Sequence, residues 1–125
     1  NANLRFLNSS GSAQTSNNYG YFINSNYNGI GNQANSQIQL TRDYLGNQSG
    51  RSMHFTIDIS DFENTSFFKN VRVFYVGQNH DTTANTYSTI VGGDFKDTAA
   101  MGGIRFYFSS GNIASGLKYN VYGIK

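Results

Sequence analysis

The chain has 125 residues, with no Cys, Pro or Trp, and carries a net charge of +2 from 9 basic and 7 acidic side chains. Charged residues make up 13% of it, about half the ~25% of an ordinary globular chain, and 17 Asn, 14 Ser and 14 Gly fill the deficit. Disulfide scaffolds, Cys-ligated metal centres and membrane-spanning helices of ~18 apolar residues are thereby excluded, and the scattered Lys and Arg make no basic stripe for nucleic-acid phosphates.

The strand signals begin with Leu4 and Phe6, which alternate with Asn3 and Arg5. Tyr19, Tyr21 and Ile23 alternate likewise with Gly20, Phe22 and Asn24, and Asn28-Gly29 is a dipeptide that closes tight hairpins. Ile38 and Leu40 follow, set between Gln37, Gln39 and Thr41. Period 2 is clearest further on: Met53, Phe55, Ile57 and Ile59 share one face, and His54, Thr56, Asp58 and Ser60 the other. Residues 61–64 end that strand. Residues 71–76 are an apolar run broken only by Arg72, which predicts a central strand buried on both faces. Residues 87–91 predict another strand, expected to stop at Gly92-Gly93. Ile104, Phe106 and Phe108 alternate with Arg105 and Tyr107. Residues 117–124 predict a last strand through Leu117, Tyr119 and Val121, with a bulge at Gly123.

Such spacing predicts an all-β fold: an antiparallel β-sandwich, jelly-roll-like, of about eight short strands. No segment is long enough for the helices that join parallel strands. The 10 Phe and 9 Tyr supply the core and argue against disorder. One domain over 1–125 suits the length, and the opening Asn-Ala-Asn suggests the mature or C-terminal part of a longer chain.

Residues 103–116 read Gly-Ile-Arg-Phe-Tyr-Phe-Ser-Ser-Gly-Asn-Ile-Ala-Ser-Gly, and Tyr122-Gly123-Ile124 follows. This ending resembles that of bacteriophage virion proteins, namely tail-fibre, tail and head-fibre receptor-binding domains. The likeness extends more loosely upstream through the strand at 50–57 and the pairs Gly92-Gly93 and Gly102-Gly103. The resemblance implies a β-sandwich on the virion surface, commonly a homotrimer, in contact with other virion proteins and the host surface. It implies no catalytic residue and no cofactor. The motif itself makes sense as a structural hairpin. Ile104, Phe106 and Phe108 would bury one face, and Ser109, Ser110, Gly111 and Asn112 would form the turn. Gly111 and Gly116 would take positive φ. Ile113 and Ala114 would tuck onto the sandwich edge, and Tyr122 and Gly123 would lie in the returning strand.

Tyr19, Tyr21, Asn26, Tyr27 and Asn28 are the candidate ligand-binding residues. Tyr offers a rigid half-apolar face and Asn an adaptable amide, the pairing that a host-surface glycan or a paratope uses. The same tyrosines would serve equally in the core or at a subunit interface. Asp58, Asp61 and Glu63 could coordinate calcium or simply form a solvated acidic turn. Asp94 and Asp97, flanking Lys96, are expected in a surface turn. Three Asn-x-Ser/Thr sequons, at Asn8, Asn47 and Asn64, are expected by chance in so Asn-rich a chain. His54 and His80 lack a partner set, and no Gly-x-Ser-x-Gly elbow occurs, so no enzyme, metal or cofactor is expected. A virion module is the first expectation. A secreted, non-viral carbohydrate-binding module is the alternative, and a piece of an enzyme whose site lies elsewhere is the third.

Overall fold

A computed structural model describes the chain except residues 26–28, 43–44, 47, 79–84, 112, 114–116 and 124–125. The described residues are all-β. Eight strands occur in chain order: β1 (Ala2–Leu7), β2 (Tyr19–Ser25), β3 (Ile30–Asn35), β4 (Ile38–Gln39), β5 (Met53–Ser60), β6 (Lys69–Gln78), β7 (Thr86–Phe95) and β8 (Gly103–Phe108). They form two antiparallel sheets, β4-β1-β8 and β3-β2-β7-β6-β5, which face each other as a sandwich. The first strand pairs with the last, Leu4 opposite Phe106, and the second with the next to last, Ile23 opposite Val91. This nesting is shared with jelly rolls. β5, β6 and β7 form a meander beside it.

The core sits between the sheets, where Leu4, Phe6, Tyr19, Ile23, Ile38, Leu40, Val73, Val91 and Phe95 are fully buried. Phe6, Tyr19 and Phe95 make an aromatic cluster, with centroids 6.3 Å (Phe6–Tyr19), 5.5 Å (Phe6–Phe95) and 4.5 Å (Tyr19–Phe95) apart. The Tyr19 hydroxyl accepts from the Phe6 N–H at 3.0 Å and donates to the Gln14 carbonyl at 3.1 Å. A buried phenol needs such partners. Lys69 is also fully buried. Its ammonium donates to the carbonyls of Asn64 and Phe67, which ties the 61–68 loop to the start of β6.

Several sequence expectations are corrected. β3 carries the polar sequence Ile-Gly-Asn-Gln-Ala-Asn, which has no apolar alternation to reveal it. It forms because β2 offers a paired edge, with a register shift at Tyr19/Gly20 where Ala34 takes φ +66°. β6 is not buried on both faces. Val71, Val73 and Tyr75 point inward while Arg72 and Phe74 are exposed, because no described residue covers the outer face of that sheet there. Gly92-Gly93 does not stop its strand but lies within β7. A Cβ at Gly93 would come within 3.0 Å of the Ile38 side chain, so glycine there lets the two sheets approach.

The largest difference lies at the end of the sequence. Residues 117–123 form no strand, so among the described residues there is no return hairpin and β8 pairs only with β1. Tyr122 and Gly123 therefore lie outside any sheet, and Ile113 is exposed rather than tucked against the sandwich. Gly111 does take positive φ, at +76°, in the bend that begins with Ser109 and Ser110. Asn112, Ala114 and Gly116 lie outside the described residues.

Candidate functional site

No described residue forms a layer over the outer face of the five-stranded sheet, and pairing register arranges its side chains in transverse rows. One row runs Gln33, Gly20, Asp94, Asn70, Ser60 across β3, β2, β7, β6 and β5. The next runs Gly31, Phe22, Gly92, Arg72, Asp58. Two residues along a strand separate the rows by roughly 7 Å. Polar groups and an aromatic ring thus stand side by side about one sugar-ring width apart.

Between these rows lies a shallow, open cleft of about 430 Å³, lined by Gly20, Phe22, Gln33, Asn70, Gly92 and Asp94. Phe22 keeps 55% of its surface exposed, and its ring leans over Gly31, whose Cβ, if present, would lie 2.9 Å from it. Gly92 has open space where a side chain would be. A Cβ on Gly20 would lie 2.5 Å from Asp94 Oδ1 and 2.7 Å from Gln33 Oε1. Glycine here lets two acceptor oxygens converge over the backbone. Gln33 Oε1 accepts from the Lys96 ammonium at 2.8 Å. Asp94 Oδ1 is shielded from solvent and has no hydrogen-bond partner among the described residues. A buried acceptor left unmet costs about 1–3 kcal/mol, so a side-chain rotation that brings Asp94 Oδ1 to a donor in the open cleft is favoured. At the flank, Arg72 donates to Asp58 Oδ2 at 2.8 Å.

Chemically, the arrangement can accept hydrogen bonds from hydroxyls and offer an apolar ring edge beside them. The described lining residues hold one carboxylate and no imidazole or thiol. No group of three or more His, Cys, Asp or Glu side chains gathers among the described residues. Asp58 is engaged with Arg72, and Asp61 turns the chain with φ +58°.

Of the tyrosines expected at a binding site, Tyr21 lies among the residues that line the cleft but turns its ring to the core, and Tyr19 lies in the core. Tyr19 is fully buried and Tyr21 nearly so, its hydroxyl hydrogen-bonded to the Gln39 side chain at 3.3 Å. Neither presents a ring to a ligand, because β2 turns its Tyr/Ile parity to the core and its Gly/Phe/Asn parity outward. Burial raises both phenols: Tyr19 up to about 12, against smaller opposing pulls from the Phe6 hydrogen bond and Arg5, and Tyr21 against a hydrogen bond with Asn35. Asn26, Tyr27 and Asn28 lie outside the described residues, as do Asn47 and His80. Asp94 is not in a surface turn but inside β7. The Asn8 and Asn64 side chains are used locally. Each accepts from two backbone N–H groups, of Ser10 and Ser12 and of Ser66 and Phe67 respectively.

Phe22, Gln33, Asn70 and Asp94 were not among the sequence candidates. The available signal was parity: two opposed sets alternate in β2, and the set outside the core is the one free to bind. Cross-strand rows, by contrast, exist only once the register is set. No protein-family model matches the chain, and neither a curated protein nor a solved structure matches it.

Proposed function

We propose that this chain is a structural module of a bacteriophage virion, a tail-fibre or head-fibre/decoration domain. It assembles as a homotrimer with other virion proteins and meets the host surface through the outer face of its five-stranded sheet. The observation that carries the binding half of this reading is the cleft beside Phe22, where two acceptor oxygens converge over Gly20 and Asp94 Oδ1 has no donor among the described residues. A neutral glycan has the complementary chemistry, with hydroxyl donors around an apolar ring face. The virion setting rests on the resemblance of residues 103–124 to the endings of phage virion proteins.

A glycan array probed with the full chain tests the cleft. The chain is expected to bind a defined neutral glycan, and Phe22→Ala and Asp94→Ala are each expected to weaken that binding about 10-fold or more. Retention of every glycan only by chains with an intact cleft supports the reading. No binding, or binding unchanged in both variants, overturns it. The same cleft also suits a secreted, non-viral carbohydrate-binding module. Side-chain density for this chain in an intact phage particle separates the two settings.

A further inference from the structure

The two sheets lose their cover on the same side. On β1, Ala2, Leu4 and Phe6 are fully buried, whereas their β8 neighbours Phe108, Phe106 and Ile104 are not, Ile104 keeping 41% of its surface exposed. The facing sheet shows the same gradient. On β6, Val71, Val73 and Tyr75 are buried, but their β5 partners Ile59, Ile57 and Phe55 are only half-buried, and Met53 is 38% exposed. Phe55 and Phe106 meet edge-on at 5.3 Å, which places β8 against the β5 side of the sandwich. One sheet has three strands and the other five. A fourth strand on the free edge of β8 would lie over the exposed inner face of β5.

The free edge of β8 offers the hydrogen bonds for such a strand. Alternate residues of a strand aim their N–H and C=O groups to opposite sides, and among the described residues only β1 pairs with β8, on one side. An uncovered edge of this kind is a template for another strand.

The sequence supplies a matching strand that its own chain does not use. Residues 117–123 are described, lie in no strand, and expose Leu117 (54%), Tyr119 (79%), Val121 (85%) and Tyr122 (84%). Leu117, Tyr119 and Val121 repeat with period 2, so an extended conformation sets three apolar side chains on one face. Three is also the number of inward-facing residues on β8. The opposite face would carry Lys118, Asn120 and Tyr122, suited to the outside.

We infer that residues 117–123 of one copy add to the free edge of β8 of another copy, completing the smaller sheet and burying Leu117, Tyr119 and Val121 over β5. Each copy then donates one strand and accepts one, so assembly closes as a reciprocal pair or a ring. The inference concerns the partner and the contact, and it stands on a different face from the cleft. Glycan binding can fail while assembly holds, and the reverse.

Two measurements on the full chain test it. Light scattering at micromolar concentration is expected to give a dimer or trimer. The double variant Tyr119→Asp, Val121→Asp is expected to give a monomer that keeps the β-sheet far-UV signature and cooperative unfolding of the sandwich, since both side chains lie in solvent in the single chain. In the second measurement, copies bearing only Arg105→Cys are mixed with copies bearing only Lys118→Cys or Asn120→Cys under oxidising conditions. The chain has no cysteine of its own, so a disulfide between the two kinds of copy reports the strand exchange. A monomeric parent chain overturns the inference. So does a double variant that assembles like its parent, or a bridge that forms only when both cysteines are on one chain.

Discussion

The sandwich has a closed side and an open side made from the same kinds of residue. On the closed side Phe6, Tyr19 and Phe95 pair at 4.5 to 6.3 Å, and no ring reaches solvent. On the open side Phe55, Phe106 and Phe108 pair at 5.3 and 5.6 Å, equally close, yet all three stay half-buried. Ring geometry does not separate the two trios. Cover does: the closed trio lies under strands of both sheets, while the open trio lies where the three-stranded sheet ends. Burial in a sandwich is therefore a property of how many strands lie opposite, and aromatic contact alone does not deliver it.

The sharpest challenge to this contrast is a pair of truncations. Phe6→Ala empties a fully enclosed site and is expected to cost about 3–5 kcal/mol, a large part of a typical domain's 5–15 kcal/mol. Phe106→Ala removes a ring already half in water and is expected to cost about 1–2 kcal/mol in the single chain. Urea midpoints at constant slope would measure both. Equal costs would mean that the open side is covered in solution. That is the outcome expected of assembled copies, with the Tyr119/Val121 double variant restoring the difference.

A pH titration probes the seal on the closed side. Tyr19 ionises at about 12 in the fold, against an ordinary 10, chiefly because burial disfavours the phenolate. The folded state thus holds its proton longer than the unfolded chain. The contribution is intact below pH 10 and is lost between pH 10 and 12, amounting to about 2–3 kcal/mol. Tyr21 and Tyr107 are raised by burial too and add in the same direction. Tyr19→Phe is expected to flatten, though not abolish, the decline in stability over that window. A parent chain equally stable at both ends of it would show that water reaches the cluster.

The smallest effect belongs to the outer face, which neither trio touches. The Arg72 and Asp58 side chains pair at 2.8 Å but are 76% and 55% exposed. Arg72→Ala is expected to change stability by less than about 0.5 kcal/mol and to do so only at low salt. A larger change would mean that this face is covered in solution and is not a free surface.

Much of the architecture was legible in the residues. The period-2 alternation of Leu4/Phe6, Tyr19/Tyr21/Ile23, Met53 to Ile59 and Ile104/Phe106/Phe108 marks four strands and their two faces, since a strand's faces are set by its own backbone. Polar β3 carried no such mark, and its pairing comes from β2. The candidate site was harder to see. Tyr is a better ligand-binding residue than Gly or Phe by chemistry alone, but in β2 the phenols went to the core, where Phe6, Gln14 and Gln39 satisfy their hydroxyls. Asp94 and Asn70 are 24 positions apart in the chain and become neighbours only through the register of β6 on β7.

A composition low in charge, free of Cys and Pro, rich in Asn, Ser, Gly and aromatics, together with local alternation, was enough for an antiparallel sandwich. Those features act within a few residues of backbone, so one chain suffices to display them. Tertiary structure alone decided three further matters: which parity of each strand faces inward, where the smaller sheet stops, and that residues 117–123 pair with no described strand of their own chain. Each depends on a second sheet about 10 Å away and on which strands compete for a given edge. Local sequence carries no record of that competition.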